Sequence, residues 1–134
     1  MQILLDSHVS VWVKSAPGNL SDESRAAIID PDNDVFVSVA TAWELWLKHA
    51  RKRVSGLAPV LDGGAPAFLA VVRESGIALL EITLDHAATA SRLPPLHRDP
   101  FDRMLIAQAI SGKLTIVTAD PAFRQYPGLR VLDA

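Results

Sequence analysis

The chain has 134 residues, a formal net charge of −2 and no cysteine. That length suits one domain with one substantial core, and an apolar content of 49% excludes a disordered chain. The lack of cysteine excludes disulfides and thiolate metal sites and fits a reducing cytoplasm, while the mildly acidic balance excludes a global positive field.

The N-terminal stretch "MQILLDSHVSVWVKS" has no basic leader, and Asp6 interrupts its apolar residues early, so neither a signal peptide nor a membrane span is expected. Residues 2–5 read as a buried first strand that stops at Asp6. "SHVSVWVKS" predicts a helix ended by "APGN", and Ser21 can cap a second helix with Asp22 and Glu23 in its first turn. "DPDN" is a turn, and the β-branched and aromatic run "VFVSV" is a second strand.

A third helix begins near Val39 or Ala40. Val39, Trp43, Trp46, Leu47 and Ala50 form its apolar stripe, so Trp43 and Trp46, like Trp12, read as core or dimer packing rather than platforms for bases. "KHARKR" (48–53) then gathers Lys48, Arg51, Lys52 and Arg53, either a solvated helix end or a local polyanion contact. The glycines and prolines of residues 54–66 predict a loop or a weak helix. "AFLAVVRESG" is a helix closed by Gly76, "IALLEI" a strand, and "TLDHAATASRL" a helix capped by Thr83. "PPLHR" is a rigid connector to the helix of "HRDPFDRMLIAQA", which ends near Gly112. "LTIVT" is a buried strand stopping at Asp120, and "LRVL" a last one.

Strands alternating with helices predict an α/β fold, a central parallel sheet with helices on both faces, and a single domain over residues 1–134. In such a sheet, sites form beyond the carboxyl ends of the strands. Asp6 and Asp120 follow strands, and Glu44, Asp99 and Asp102 lie in the opening turns of helices, so these carboxylates gather at one edge. Each also has a local explanation. Asp6 can end a strand, Glu44 can pair with Lys48, and Asp120 can open a turn before Pro121. Asp99 before Pro100 is a favoured cap, and Asp102 three residues on can complete a capping box. None of these explains the shared location, because clustered like charges raise one another's pKa. A bound cation does explain it, and oxygen donors point to Mg²⁺ or Mn²⁺. His8, His49, His86 and His97 are scattered singly and read as ordinary histidines, which disfavours zinc. A carboxylate-held ion beside basic residues suggests phosphate chemistry by a metal-activated water, and no glycine-rich phosphate loop is present.

"LLDSHV", "VSVATAWEL", "LPPLHRDPFDRMLIAQA" and "LTIVTADPAF", in that order across nearly the whole chain, resemble a PIN domain, and more narrowly the VapC-like ribonuclease toxins of type II toxin–antitoxin pairs. The resemblance implies an α/β/α sandwich, Mg²⁺- or Mn²⁺-dependent cleavage of RNA, a homodimer and a small antitoxin partner. By position, its acidic set falls on Asp6, Glu44, Asp102 and Asp120. Ser7 stands where the family usually has threonine, and Asp99 is a second acid beside Asp102, leaving open which of the two touches metal; Asp6, Asp102 and Asp99 are expected to hold the principal ion, with Glu44 and Asp120 completing the site directly or through waters. Arg98, Arg103 and the cluster Lys48, Arg51, Lys52 and Arg53 are the candidates for the RNA backbone. Two other readings remain: a protein of this fold that acts only through its complex, and a Mg²⁺-dependent phosphatase. Against the latter, His8 stands where such enzymes commonly want a second aspartate.

Overall fold

In the computed structural model, which describes residues 1–51 and 56–134, the strands are β1 (Gln2–Leu5), β2 (Asp34–Ser38), β3 (Ala78–Leu80), β4 (Thr115–Thr118) and β5 (Arg130–Asp133). They form one parallel sheet in the order β3-β2-β1-β4-β5. Leu4 of β1 lies opposite Phe36 of β2, and Leu5 opposite Val117 of β4. The strand order reverses between β1 and β4, which opens a crevice at their carboxyl ends.

The helices are α1 (Ser7–Ser15), α2 (Asp22–Ile29), α3 (Val39–Ala50), α4 (Ala58–Asp62), α5 (Gly64–Glu74), α6 (Leu84–Arg92) and α7 (Pro100–Gly112). Side chains alternate across the sheet and build a core on each face. Leu4 and Ile116 point to one face, against Ala40 of α3 and Leu105 and Ile106 of α7. Ile3, Leu5 and Val117 point to the other, against Val9 of α1, with Ala27 and Ile28 of α2 packed alongside. The result is the expected three-layer α/β/α sandwich. A smaller cluster of Leu45, Leu57 and Leu61, with Trp46 and Phe68, joins α3 to α4 and α5. Among the described residues, no helix is long and apolar enough to cross a membrane.

Most predicted elements are present, and the departures have physical causes. Of the stretch expected to be a loop or weak helix, residues 54 and 55 lie outside the described residues, and the rest takes the weak-helix alternative as the five-residue α4 and the start of α5. Pro59 and Pro66 sit in the first turns of those helices, where a missing N–H costs nothing. The third strand spans three residues rather than six, because it is an edge strand with β2 as its single neighbour. The expected stripe on α3 is not the buried one. Ala40, Thr41, Glu44 and Leu45 face inward, whereas Trp43 is 57% exposed and Leu47 is also exposed. Trp43 makes an edge-to-face contact with Phe101 of α7 at 5.0 Å, and Trp46 donates its indole N–H to the Leu61 carbonyl.

Candidate active site

Asp6 ends β1 and caps α1, and its backbone amide extends the ladder to the Val117 carbonyl of β4. Its carboxylate is buried and held on both oxygens. Oδ1 accepts the Ser7 amide at 2.6 Å, and Oδ2 accepts the Thr118 hydroxyl at 2.7 Å. Burial raises the Asp6 pKa, and the nearby Glu44 charge adds to this, while the bonds from Thr118 and Ser7 oppose it. Thr118, the last residue of β4, also accepts the Asp120 amide through Oγ1 at 3.1 Å. One hydroxyl thus ties the acids after β1 and β4 together. The Ser7 hydroxyl is buried and lies 3.3 Å from that of Thr41 on α3.

Asp120 opens the 3-10 turn Pro121–Gln125, with Oδ1 accepting the Ala122 amide. Oδ2 lies 3.1 Å from Nε2 of His97. Partial burial alone would raise this carboxyl, but the hydrogen bonds from Ala122 and His97 outweigh it and hold the pKa below the ordinary value.

Asp102 is brought in by the opening turn of α7. Asp99 caps that helix, its Oδ1 accepting the Phe101 amide at 2.8 Å and the Asp102 amide at 3.4 Å. Proline at the first helical position completes the start signal. The Asp102 carboxyl is pushed up from its ordinary 3.8 to about 7, first by burial and then by the charges of Asp99, Asp6, Glu44 and Asp120. All the acids singled out in the sequence therefore act on this one group. Ligand atoms of His97, Asp102 and Asp120 lie within 4.8 Å of one another.

Glu44 enters from α3. Oε2 pairs with Lys48 at 2.9 Å, as the i,i+4 spacing allows, but Oε1 is buried and has no hydrogen-bond partner among the described residues. Beside Glu44, an open groove is lined by Lys48, Arg51, Arg98, Asp99 and Phe101. Lys52 and Arg53 lie outside the described residues. Arg103 points away from the groove: its guanidinium reaches the carbonyls of Ala90, Leu93, Pro94 and His97. These bonds tie the connector after α6 to α7.

A PIN-domain family model matches residues 3–129. The chain belongs to the PIN-domain family. Ribonuclease VapC22 of Mycobacterium tuberculosis (strain ATCC 25618 / H37Rv) is 34% identical over 126 residues, covering 92% of this chain and 91% of that protein. Two solved structures share the fold. The VapBC2 structure from Rickettsia felis, bound to a promoter DNA fragment, matches with a TM-score of 0.71 at 14% identity, over 99% of this chain and 98% of its own. DNA-bound VapBC from Salmonella typhimurium matches at 0.66 and 21% identity, with the same coverage. In this PIN domain the candidate site is the crevice between β1 and β4, where Asp6, Glu44 and Asp120 add their charges to Asp102.

Three polar residues at the site escaped the sequence reading: Thr118, Thr41 and His97. Thr118 and Thr41 look like ordinary strand and helix residues until the fold sets them beside Asp6 and Ser7. His97 stands alone in the sequence, and only its neighbourhood to "DPFD" hints at its place.

Proposed function

We propose that this PIN domain is a metal-dependent endoribonuclease, the toxin of a type II toxin–antitoxin pair, with residues 1–134 acting as a single nuclease domain. The observation that carries the reading is the gathering of acids at the carboxyl ends of β1 and β4: Asp102 and Asp120 lie in one cluster with His97, Asp6 and Glu44 add their charges to Asp102, and Glu44 Oε1, from the middle of α3, is buried and unpartnered among the described residues. A buried carboxylate oxygen without a donor is costly unless a cation meets it.

The donor set fits a hard divalent ion, Mg²⁺ or Mn²⁺. Asp6, Asp102 and Asp120 would hold it, with Glu44 completing the site directly or through water. Asp99, with Oδ1 engaged by two amides, serves the helix start and adds charge. When bound, such an ion polarises a phosphoryl oxygen and makes hydroxide available near neutral pH. The chain supplies the rest. Thr118 and the Ser7 amide orient Asp6, Asp99 sets the first turn of α7, and Lys48 keeps Glu44 in place. Arg51 and Arg98 flank the groove, where a ribose–phosphate backbone would find cations beside the acids.

The identity to a ribonuclease VapC supports RNA as substrate. The VapBC fold relatives support a small cognate antitoxin, and exposed Trp43, Leu47, Ile82, Leu84 and Leu96 offer apolar surface to it and to a second copy in a homodimer. The decisive experiment incubates antitoxin-free protein with structured and unstructured RNAs in Mg²⁺, Mn²⁺ or EDTA, beside Asp6→Asn. Cleavage that needs the ion and Asp6 is expected. Full cleavage after thorough metal removal, or by soluble Asp6→Asn protein, would overturn the reading.

A further inference from the structure

His97 lies on the connector between α6 and α7, yet its ring sits under the turn that follows β4. The side chain is 9% exposed. Phe123 meets it edge-on with ring centroids 4.9 Å apart, and Tyr126 stacks on it at 5.4 Å. Both ring nitrogens are engaged: Nδ1 is 2.9 Å from the Tyr126 hydroxyl, and Nε2 is 3.1 Å from Asp120 Oδ2. Tyr126 is 2% exposed, and His97 is the hydrogen-bond partner its hydroxyl finds. A carboxylate only accepts, so Nε2 carries the proton toward Asp120 and, in the neutral ring, Nδ1 accepts from Tyr126.

We propose that Tyr126 and His97 form a positioning relay for Asp120: the buried hydroxyl fixes the tautomer and plane of the imidazole, and the imidazole fixes the Asp120 carboxylate for a divalent cation. This rests on the metal-dependent reading above and adds two residues to it. His97 also has the proximity to be a direct ligand, since its ring lies in the same cluster as Asp102 and Asp120. Its two hydrogen bonds decide against that role. A ligating nitrogen would have to release either Tyr126 or Asp120, and releasing Tyr126 would leave a buried hydroxyl unpaired. The relay has further support on both sides. Asp120 Oδ1 is already held by the Ala122 amide, so the His97 bond fixes the second oxygen and the carboxylate cannot swing. On the other side, the Arg103 guanidinium holds the connector, including the His97 carbonyl, against α7.

The test is Mn²⁺ binding, measured by electron paramagnetic resonance and calorimetry on the antitoxin-free protein without RNA. The variants are Asp120→Asn, His97→Asn, His97→Gln and Tyr126→Phe. A glutamine amide reaches the Nε2 position and can still donate to Asp120, whereas an asparagine amide stops near the Nδ1 position. His97→Asn is therefore expected to weaken Mn²⁺ binding by about 10- to 100-fold, the range for outer partners of metal ligands. Tyr126→Phe, which removes one oxygen and keeps the ring, is expected to weaken it in the same direction, and His97→Gln to recover most of the loss. The bound Mn²⁺ should show no directly coordinated nitrogen. Mn²⁺ affinities of His97→Asn and Tyr126→Phe within twofold of wild type, beside a weakened Asp120→Asn, would overturn the relay alone. A coordinated nitrogen that disappears in His97→Asn would also overturn it, making His97 a ligand. A wild-type protein that binds no Mn²⁺ would overturn the relay and the nuclease reading together.

Discussion

Asp6 and Thr118, 112 residues apart in the chain, are joined by a 2.7 Å hydrogen bond between side chains across the adjoining ends of β1 and β4. The bond spans the point where the strand order reverses, so the sheet topology itself brings the pair together. Thr118→Val keeps the shape and deletes the donor. The variant should lose about 1–3 kcal/mol, the cost of leaving a buried polar partner unsatisfied. The Asp6 pKa, already raised by burial, should rise further, because the opposing hydrogen bond is gone. Urea unfolding in EDTA measures the first effect. The second appears as an acidic limb of the pH–rate profile displaced to higher pH.

Asp102 gives the metal-free protein an unusual pH dependence. Its folded pKa is about 7 against an ordinary 3.8. Between those values the folded state keeps a proton that the unfolded state releases, so this group makes stability fall as pH rises toward about 7. The raised Asp6 contributes with the same sign. Asp102→Asn should flatten this fall and leave the metal-free protein more stable at pH 8, where wild type carries the repulsion. An ion must displace the proton, so the Mn²⁺-induced rise in Tm should be larger at pH 8 than at pH 5.5, and smaller in Asp102→Asn than in wild type. Melting curves at both pH values, with Mn²⁺ and with EDTA, decide the matter. An unaltered metal-induced shift in Asp102→Asn would remove Asp102 from the site.

Asp99 separates capping from charge. Asparagine caps as well as aspartate, so Asp99→Asn should fold with wild-type stability, whereas Asp99→Ala should lose about 0.5–2 kcal/mol. Both remove the largest charge acting on Asp102 after burial itself. The Asp102 titration, followed by NMR in EDTA, should therefore move down in both variants. Loss of Mn²⁺ binding in Asp99→Asn as severe as in Asp102→Asn would make Asp99 a ligand instead.

The strands and the parallel sheet were legible in the sequence because buried strands are short apolar runs that stop at polar residues, as "QILLD" and "LTIVTAD" do. The start of α7 was equally legible, since Asp99 accepts two orphan amides of the first turn and Pro100 after it lacks an amide to satisfy. The inward face of α3 was not. Counting apolar residues favoured Trp43 and Leu47, but the face that meets the sheet carries Ala40, Thr41 and Glu44. The face beside the polar crevice buries small and charged residues, which leaves Trp43 and Leu47 outside while Leu45 and Trp46 pack against α4 and α5. His97, Tyr126 and Thr118 were illegible for a different reason. Each works through a partner that only the chain's return to the sheet brings near.

Arg103 is the clearest case of a basic residue with a structural occupation. Its guanidinium hydrogen bonds reach carbonyls of α6 and the connector that carries His97. A hydrogen bond to a charged group contributes about 1.5–3 kcal/mol net, and water competes for this half-buried guanidinium, so Arg103→Ala should lower stability by about that amount in total rather than per bond. The salt dependence of RNA binding should stay as in wild type. A stable Arg103→Ala protein with a reduced salt slope would return Arg103 to the RNA-binding surface.

The groove beside Glu44 makes the opposite prediction for Arg51 and Arg98. Both are exposed, and neither has an ion-pair partner among the described residues. Lys48 lines the same groove but is engaged with Glu44, so replacing it would disturb the carboxylates as well as any phosphate held there. Arg51→Ala and Arg98→Ala therefore isolate binding of the RNA backbone from the acids. Each phosphate of single-stranded RNA that a protein cation no longer neutralises lowers the slope of log K against log salt by about 0.7, so the double variant should lose about 1.4. Measuring binding on an Asp6→Asn background in Ca²⁺ prevents cleavage from distorting the titration. Affinity should fall across unrelated RNA sequences, because binding to phosphates carries no sequence information. Stability should be unchanged, since exposed cations contribute little to folding. An unchanged slope, with wild-type affinity at low salt, would place the RNA path on another face of the crevice and leave this groove to a protein partner.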